Sequence, residues 1–209
     1  DSGIDLNHPD FFGRIMKIYD LVGDGTLDYN GHGTHVAGSV LGSGLSSGSN
    51  PASNLYPATC FAGSAPQANL IFQAGGLDTP DSYTIDAPED LSVLFSPPYA
   101  DGARIHNNSW GGSNPGEYNL YSQSLDLFVW NNPDFTVLFA AGNQGGDYDG
   151  NGLVDPLSVL APGTAKNCIT VGATENMRPG KNKKWRELRS DLFASEPIAS
   201  DYISDNPQG

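Results

Sequence analysis

The sequence predicts an α/β fold with a mostly parallel central sheet. Short runs of β-branched and apolar residues alternate along the chain with longer segments of helical periodicity, and parallel sheets are built from such alternation. The run at 136–140, Thr-Val-Leu-Phe-Ala, is largely apolar, which is typical of a strand covered on both faces. Neither an internal repeat nor a linker-like segment interrupts the chain, so we expect residues 1–209 to form one domain.

The first third of the chain contains a short apolar stretch, a helix and a strand. The apolar stretch spans 15–22 and leads into a Gly-Asp-Gly turn. A helix is predicted at 32–41, where a histidine between glycines opens a run of small and apolar residues. A long loop rich in glycine, serine, asparagine and proline follows at 42–64, and a strand is predicted at 70–73.

A second helix is predicted to begin near residue 86. Asp86 is its candidate N-cap, and a proline and two acidic residues follow in the first turn, where they are favoured. Pro97 and Pro98 should end this helix, because proline has no N–H group to donate to the preceding turn.

The second half of the chain contains three predicted strands and one helix. The strands span 104–109, 136–140 and 168–171. The helix spans 119–130, and its predicted buried face consists of Leu120, Ser124, Leu127 and Phe128. Active residues of such sheets lie at strand ends, so the residues that follow the strands are candidates for function.

The most informative segment is Gly31–Gly38, which has the sequence GHGTHVAG. His32 can approach a neighbouring group closely, because the glycines beside it carry no side chain that would block the approach. Asp1 resembles the last residue of a buried strand, and Asn143 follows the strand at 136–140. Alone, each of these would be an ordinary turn residue. Together, a carboxylate can orient an imidazole, the imidazole can take a proton, and the amide can donate to an oxyanion.

Four segments, in order, resemble the subtilisin-like serine proteases. They are DSGID at 1–5, GHGTHVAG at 31–38, NNSWGG at 107–112 and AAGN at 140–143. The resemblance implies a three-layer subtilisin-like fold with a mostly parallel central sheet, incomplete at both ends, so that residues 1–209 are part of a catalytic domain.

The resemblance also implies roles for individual residues. In an Asp-His-Ser triad, Asp1 would orient the imidazole and His32 would be the general base. Asn143 would be the side-chain donor of the oxyanion hole. The substrate-binding residues would form two walls of a pocket, one made of Ser109, Trp110 and Gly111 and the other of Ala140, Ala141 and Gly142.

The nucleophilic serine that the resemblance implies lies in a Gly-Thr-Ser segment, and no such segment occurs in the 209 residues. We expect a fragment that lacks its nucleophile segment, rather than a protease that has lost its serine. The implied function is that of a secreted, extracellular serine endopeptidase, and the fragment alone should be inactive. A non-catalytic, calcium-stabilised binding module of the same fold stays open as the alternative.

Residues 147–155 are a candidate calcium loop. Asp147, Asp149, Asn151 and Asp155 could supply oxygen ligands, and the first part of the segment matches the start of an EF-hand loop. The twelfth position of that template is a serine rather than glutamate, so we do not expect an EF-hand. An ordinary solvated turn is the alternative. The resemblance implies structural Ca²⁺, because subtilisin-like proteases commonly bind it.

The acidic composition disfavours two classes of binding partner. The chain has 24 acidic and 10 basic residues, with a net charge of −14, which disfavours nucleic acid and anionic membrane as partners. The resemblance to subtilisin-like proteases implies protein or peptide substrates. Six of the ten basic residues lie at 178–189, where we expect a solvated loop or one docked on the acidic body.

Cys168 is expected to be a buried free thiol, and a disulfide with Cys60 stays open.

Overall fold

The computed structural model describes residues 1–79, 82–112, 115–146, 149 and 154–173, together with 183–184 and 203–204; the strand residues 82–83, 183–184 and 203–204 are described by their backbone alone. Contacts divide the chain into two units. Unit 1 comprises Asp1–Pro88 and Ser96–Ala103, and unit 2 comprises Glu89–Phe95 and Arg104–Gly209. That residues 1–209 act as one domain stays a prediction.

Unit 1 is built on a parallel pair of strands. β1 (Ile15–Asp20) pairs with β2 (Leu70–Ala74), with Ile18 opposite Phe72. Helix α1 (His32–Leu41) lies between them in the chain, so the connection is a crossover of the kind that parallel strands require. The buried core of this unit consists of Ile4, Phe11, Ala37, Leu41, Phe72 and Ala74.

Shorter elements complete unit 1. β3 (Asp78–Thr79) and β4 (Ser82–Tyr83) form an antiparallel pair directly after β2. Single 3₁₀ turns lie at Pro9–Phe11, Leu45–Ser47 and Pro51–Ser53. The last two interrupt the predicted loop at 42–64.

Unit 2 is built on a three-stranded parallel sheet. The strands are β5 (Ile105–Asn108), β6 (Thr136–Ala140) and β7 (Ile169–Val171), in the order β5-β6-β7. Helix α3 (Leu120–Asn131) connects β5 to β6, and the side chain of Asn119 accepts hydrogen bonds from the first turn of this helix. β8 (Lys183–Lys184) and β9 (Ile203–Ser204) form a separate antiparallel pair.

Aromatic rings pack in the core of unit 2. The ring centroid of Phe95 lies 5.4 Å from that of Phe128 and 6.1 Å from that of Phe135. His106 of β5 packs edge-on against Phe95, with 5.0 Å between ring centroids. Burial lowers the pKa of His106 to about 4, so its imidazole is neutral at pH 7.

The parallel pairing confirms the predicted α/β class. The helix predicted at 32–41 and the strands predicted at 70–73, 104–109, 136–140 and 168–171 all occur, and their bounds differ from the prediction by no more than a residue or two. The apolar stretch at 15–22 is largely β1.

The prediction for the second helix is wrong at both ends. α2 spans Ser92–Ala100, with Pro97 and Pro98 inside it. Asp86 is not the N-cap, because its N–H donates to the carbonyl of Gly75 and so belongs to the preceding loop. It is the carboxylate of Asp90 that accepts from the Ser92 N–H, at 3.0 Å.

Burial explains why α2 continues through two prolines. Leu94 and Phe95 are buried, and this packing offsets the hydrogen bonds that the prolines cannot make. Pro97 and Pro98 have no N–H to donate to the carbonyls of Val93 and Leu94, so the helix lacks two of its regular bonds there.

The buried face of α3 also differs from its prediction. Leu120 and Leu127 are 60% and 62% exposed, and the buried side chains are Ser122, Leu125 and Phe128. The Ser122 hydroxyl is hydrogen-bonded to the hydroxyl of Thr164 at 2.8 Å. Apolar residues occur all around this helix, so no single stripe identified the buried face.

Both cysteines are free thiols. Cys60 and Cys168 are each half-buried, and burial raises the pKa of the Cys168 thiol. None of the helices in the described part of the chain has the length and hydropathy needed to span a bilayer.

Candidate active site

Asp1 and His32 are brought into contact in unit 1. The Nδ1 atom of His32 lies 2.9 Å from Oδ2 and 3.1 Å from Oδ1 of Asp1. A carboxylate can only accept hydrogen bonds, so the neutral imidazole donates from Nδ1 and keeps Nε2 as an acceptor. The side chain of Asp1 is 6% exposed and that of His32 is 40% exposed. A reactant can therefore reach the imidazole, while the carboxylate behind it is shielded from water.

The backbone holds Asp1 in this position. Its Oδ1 accepts from the Ser2 N–H at 3.0 Å, and its main-chain carbonyl accepts from the N–H of Gly75 at 2.8 Å, directly after β2. The residue after β2 therefore anchors the main chain of Asp1, and the Ser2 N–H fixes one oxygen of its carboxylate.

Asp28 fixes the start of α1, a role that no motif marked in the sequence. The N-cap of the helix is Gly31, with φ at +83° and no side chain to cap with. The carboxylate of Asp28 accepts instead, from the Gly31 N–H at 2.8 Å and from the Thr34 N–H at 2.7 Å. A negative charge is favoured at this end of a helix. An acidic residue three positions before a glycine that opens a helix is the signal that could have identified it.

A close approach of two backbones requires the glycine that follows His32. A Cβ atom at Gly33 would lie 2.0 Å from the carbonyl oxygen of Gly3 and 3.2 Å from Cβ of Asp1. The segment that carries Asp1 thus lies directly on the first turn of α1. The Thr34 hydroxyl adds a link, because it accepts from the Asp5 N–H at 2.8 Å.

In unit 2, the two predicted wall segments leave the sheet at the same edge. Ser109–Gly111 follows β5, and Ala140–Gly142 lies at the end of β6. Asn108 is opposite Phe139 in the parallel pair, so the two segments start from the same level of the sheet. The indole of Trp110 packs edge-on against the ring of Phe139, with 5.0 Å between centroids.

A third segment, Leu160–Ala161, is bonded to both walls and was not predicted. The Leu160 N–H donates to the carbonyl of Ala141 at 2.9 Å, and the Gly112 N–H donates to the carbonyl of Ala161 at 2.7 Å. In the sequence, only its position immediately before Pro162 and Gly163 could have drawn attention to it.

Asn143 lies in unit 2, just beyond the carboxyl end of β6. Its side chain is exposed, and the residue before it, Gly142, has φ at +99°, a conformation that favours glycine. The amide is therefore available at the surface of this unit. Its assignment as an oxyanion donor stays a prediction.

Only part of the candidate calcium loop is described. Asp147 and Asn151 lie outside the described residues, as do the side chains of the basic segment 178–189. Asp149 is exposed, and the Asp155 N–H donates to the carbonyl of Gly146 at 2.8 Å, which closes the base of the loop. Within the described ranges, no three His, Cys, Asp or Glu side chains are arranged to hold a metal ion.

Comparison with known proteins gives a family and a fold. The model of the subtilase family, Peptidase_S8, matches residues 1–207. The chain is 35% identical to the serine protease/ABC transporter B family protein tagD of Dictyostelium discoideum, over 83% of this chain and 9% of tagD. It is 32% identical to the extracellular serine proteinase of Thermus sp. strain Rt41A, over 83% of this chain and 35% of that protein.

Among solved structures, the chain is similar to a mutant of the protease domain of PatA. The TM-score is 0.58 at 22% identity, covering 84% of this chain and 56% of that domain. This likeness confirms the subtilisin-like fold. The chain spans less than a tenth of the length of tagD and about a third of the Thermus proteinase.

Proposed function

This chain belongs to the subtilase family, and we propose that the protein containing it is a serine endopeptidase. The observation that carries the proposal is the pair of Asp1 and His32, a buried carboxylate 2.9 Å from Nδ1 of an accessible imidazole. An imidazole oriented in this way is prepared to take a proton at Nε2.

In the proposed reaction, a serine hydroxyl attacks the carbonyl carbon of a peptide bond. His32 takes the hydroxyl proton and passes it to the leaving amine as the C–N bond breaks, and water then releases the acyl group from the serine. Asp1 holds the imidazole in its tautomer and stabilises the imidazolium. Asn143 donates to the oxyanion of the tetrahedral intermediate.

The 209 residues contain no Gly-Thr-Ser segment, so none of their serines is assigned as the nucleophile. We propose that the nucleophilic serine lies elsewhere in the natural protein. On this basis residues 1–209 alone should hydrolyse no peptide bond.

The test uses the full-length natural protein and two histidines of one motif. His32→Ala should lower kcat for a chromogenic peptide by at least about 10⁴-fold. His35→Ala is the matched control: His35 is exposed on the same helix, and its variant should keep near-normal turnover. Equal turnover in wild type and His32→Ala would contradict the proposal.

The alternative is a non-catalytic, calcium-stabilised binding module, which would use the acidic segment 147–155 and would need no activated serine. A fluorophosphonate probe separates the two functions, because it labels only an activated serine. The endopeptidase should be labelled at one serine, with labelling lost in His32→Ala. A binding module should show no labelling in either form.

We also propose that residues 147–155 bind structural Ca²⁺. The candidate donors are Asp147, Asp149, Asn151 and Asp155, and carboxylate and amide oxygens are the donors that Ca²⁺ prefers. A bound cation would offset the mutual repulsion of the three carboxylates.

Thermal unfolding of the full-length protein with Ca²⁺ and with chelator tests this site. Ca²⁺ that binds only the folded state stabilises it by about 2.7 kcal/mol at a hundredfold excess over Kd. Asp147→Ala with Asp149→Ala should abolish this gain, whereas Asp86→Ala with Glu89→Ala, which removes the same charge elsewhere, should keep it. Full protection of the first double variant would place calcium at another site.

The proposed location is outside the cell. One relative is named an extracellular serine proteinase, although the name of another includes an ABC transporter. Proteins or peptides are the proposed substrates.

A further inference from the structure

The side chain of Leu160 lies against both candidate pocket walls in unit 2. A Cβ atom at Gly142 would lie 2.6 Å from Cγ and from Cδ1 of Leu160. A Cβ atom at Gly111 would lie 3.1 Å from Cβ and 3.4 Å from Cδ1 of the same leucine. Two facing glycines leave a slot between the wall segments, and one leucine occupies that slot.

Leu160 is held there by the backbone on both sides. Its N–H is bonded to Ala141 in one wall, and the next carbonyl, of Ala161, accepts from Gly112 beside the other wall. One residue earlier, the carbonyl of Val159 accepts from the Gly116 N–H at 2.7 Å. The leucine is 8% exposed, so its side chain is enclosed by its neighbours, and the three hydrogen bonds fix the main chain that carries it.

The two wall segments would not attract a charged substrate side chain. They consist of one serine, one tryptophan, two alanines and two glycines, with no charged residue among them. The tryptophan ring packs on Phe139, a contact that holds it against the sheet.

We propose that Leu160 is a specificity-determining residue that fills the pocket for the substrate P1 side chain, the residue whose carbonyl is attacked. The substrates are then polypeptides with glycine, alanine or serine at P1, while leucine, phenylalanine and charged residues are rejected by steric exclusion. This inference rests on the proposed endopeptidase function and on the wall assignment.

The first experiment determines where the full-length wild-type protein cleaves. A peptide library with all residue types at P1 is digested, and the new carboxyl termini are identified by mass spectrometry. Cleavage after small residues is expected. Cleavage mainly after phenylalanine, leucine or charged residues would leave the endopeptidase function intact and overturn the role of Leu160.

The second experiment opens the slot. Leu160→Gly, with Leu160→Ala as a milder variant if the glycine form is unstable, should raise kcat/KM for a phenylalanine P1 peptide relative to the alanine P1 peptide by about 10-fold or more. The matched control is Leu157→Ala on the same segment, since Leu157 is 74% exposed. It should leave the ratio unchanged.

The outcomes separate the two proposals. An unchanged P1 ratio in Leu160→Gly or Leu160→Ala, with serine labelling by fluorophosphonate retained, contradicts the role of Leu160 alone. Absence of both hydrolysis and labelling in the wild type overturns the endopeptidase function, and the inference about P1 falls with it.

Discussion

Two residues make contacts that organise the candidate site. Asp28 caps helix α1 from outside it, because its carboxylate accepts from the N–H groups of Gly31 and Thr34. The side chain of Leu160 lies against the backbone positions of Gly111 and Gly142, which are far apart in the sequence.

At the residue scale, Asn143→Ala in the full-length protein should lower kcat by about 10²–10³-fold. KM should change little, because the amide would contact charge that develops only in the transition state. Gln144→Ala is the matched control, since Gln144 is the adjacent exposed amide. Peptide hydrolysis kinetics give both constants, and an unchanged kcat for Asn143→Ala would remove it from the oxyanion hole.

At the element scale, helix α1 contains two glycines in opposite surroundings. Gly33 faces the carbonyl of Gly3 at a distance that excludes a methyl group, whereas a Cβ atom at Gly38 would meet nothing within 4 Å. Substitution by alanine should therefore have opposite effects on stability at these two positions of the helix.

Gly38→Ala should raise the free energy of unfolding by about 0.5–1 kcal/mol, because alanine loses less conformational entropy in a helix than glycine does. Gly33→Ala should lower the free energy of unfolding and lower kcat as well, because it pushes the Asp1 segment away from His32. Denaturant unfolding of the full-length variants measures the free energy of unfolding, and peptide hydrolysis measures kcat. A stable and fully active Gly33→Ala protein would contradict the close contact.

The elements that could be predicted from the sequence are those with a clear local pattern. α1 and the strands of the sheets have such a pattern, because apolar runs and flanking glycines mark where they begin and end. α2 and α3 lack such a pattern. Burial of apolar side chains keeps α2 helical across Pro97 and Pro98. A hydroxyl contact between Ser122 and Thr164 helps to select the buried face of α3. Such contacts join distant parts of the chain and leave no periodic signal.

The residues of the candidate site divide in the same way. Asp1 and His32 are predicted from short motifs, and the structure brings them into contact, whereas the role of Asn143 stays a prediction. Asp28 has one local signal, its position three residues before the glycine that opens α1. Leu160 acts through contact with two distant glycines, which the local sequence does not disclose.

At the scale of the whole molecule, the neutral imidazole of His106 should make stability depend on pH. Burial lowers its pKa to about 4, whereas the unfolded chain has a histidine pKa near 6.5. The unfolded state therefore binds more protons between these two pH values. The contribution of neutral His106 to the free energy of unfolding is complete above about pH 6.5 and is lost as the pH falls toward 4. Its size is at most about 3 kcal/mol.

His106→Leu should reduce the fall in the free energy of unfolding between pH 7 and pH 4, while His35→Gln, at an exposed histidine, should leave it unchanged. NMR titration of the full-length wild type gives an independent measurement, in which the His106 ring signals should not shift until the pH nears 4. A midpoint near 6.5 would contradict the burial of a neutral ring.

Neither unit corresponds to one continuous stretch of chain. The two halves of α2 belong to different units, with Glu89–Phe95 in unit 2 and Ser96–Ala103 in unit 1. A gene exchange with a crossover inside α2, between Phe95 and Ser96, would therefore join half-helices of different parentage, with buried Leu94 and Phe95 on one side of the joint and Pro97 and Pro98 on the other. Chimaeras of related genes should tolerate crossovers outside α2 far better than within it, and the helix should be inherited as one block.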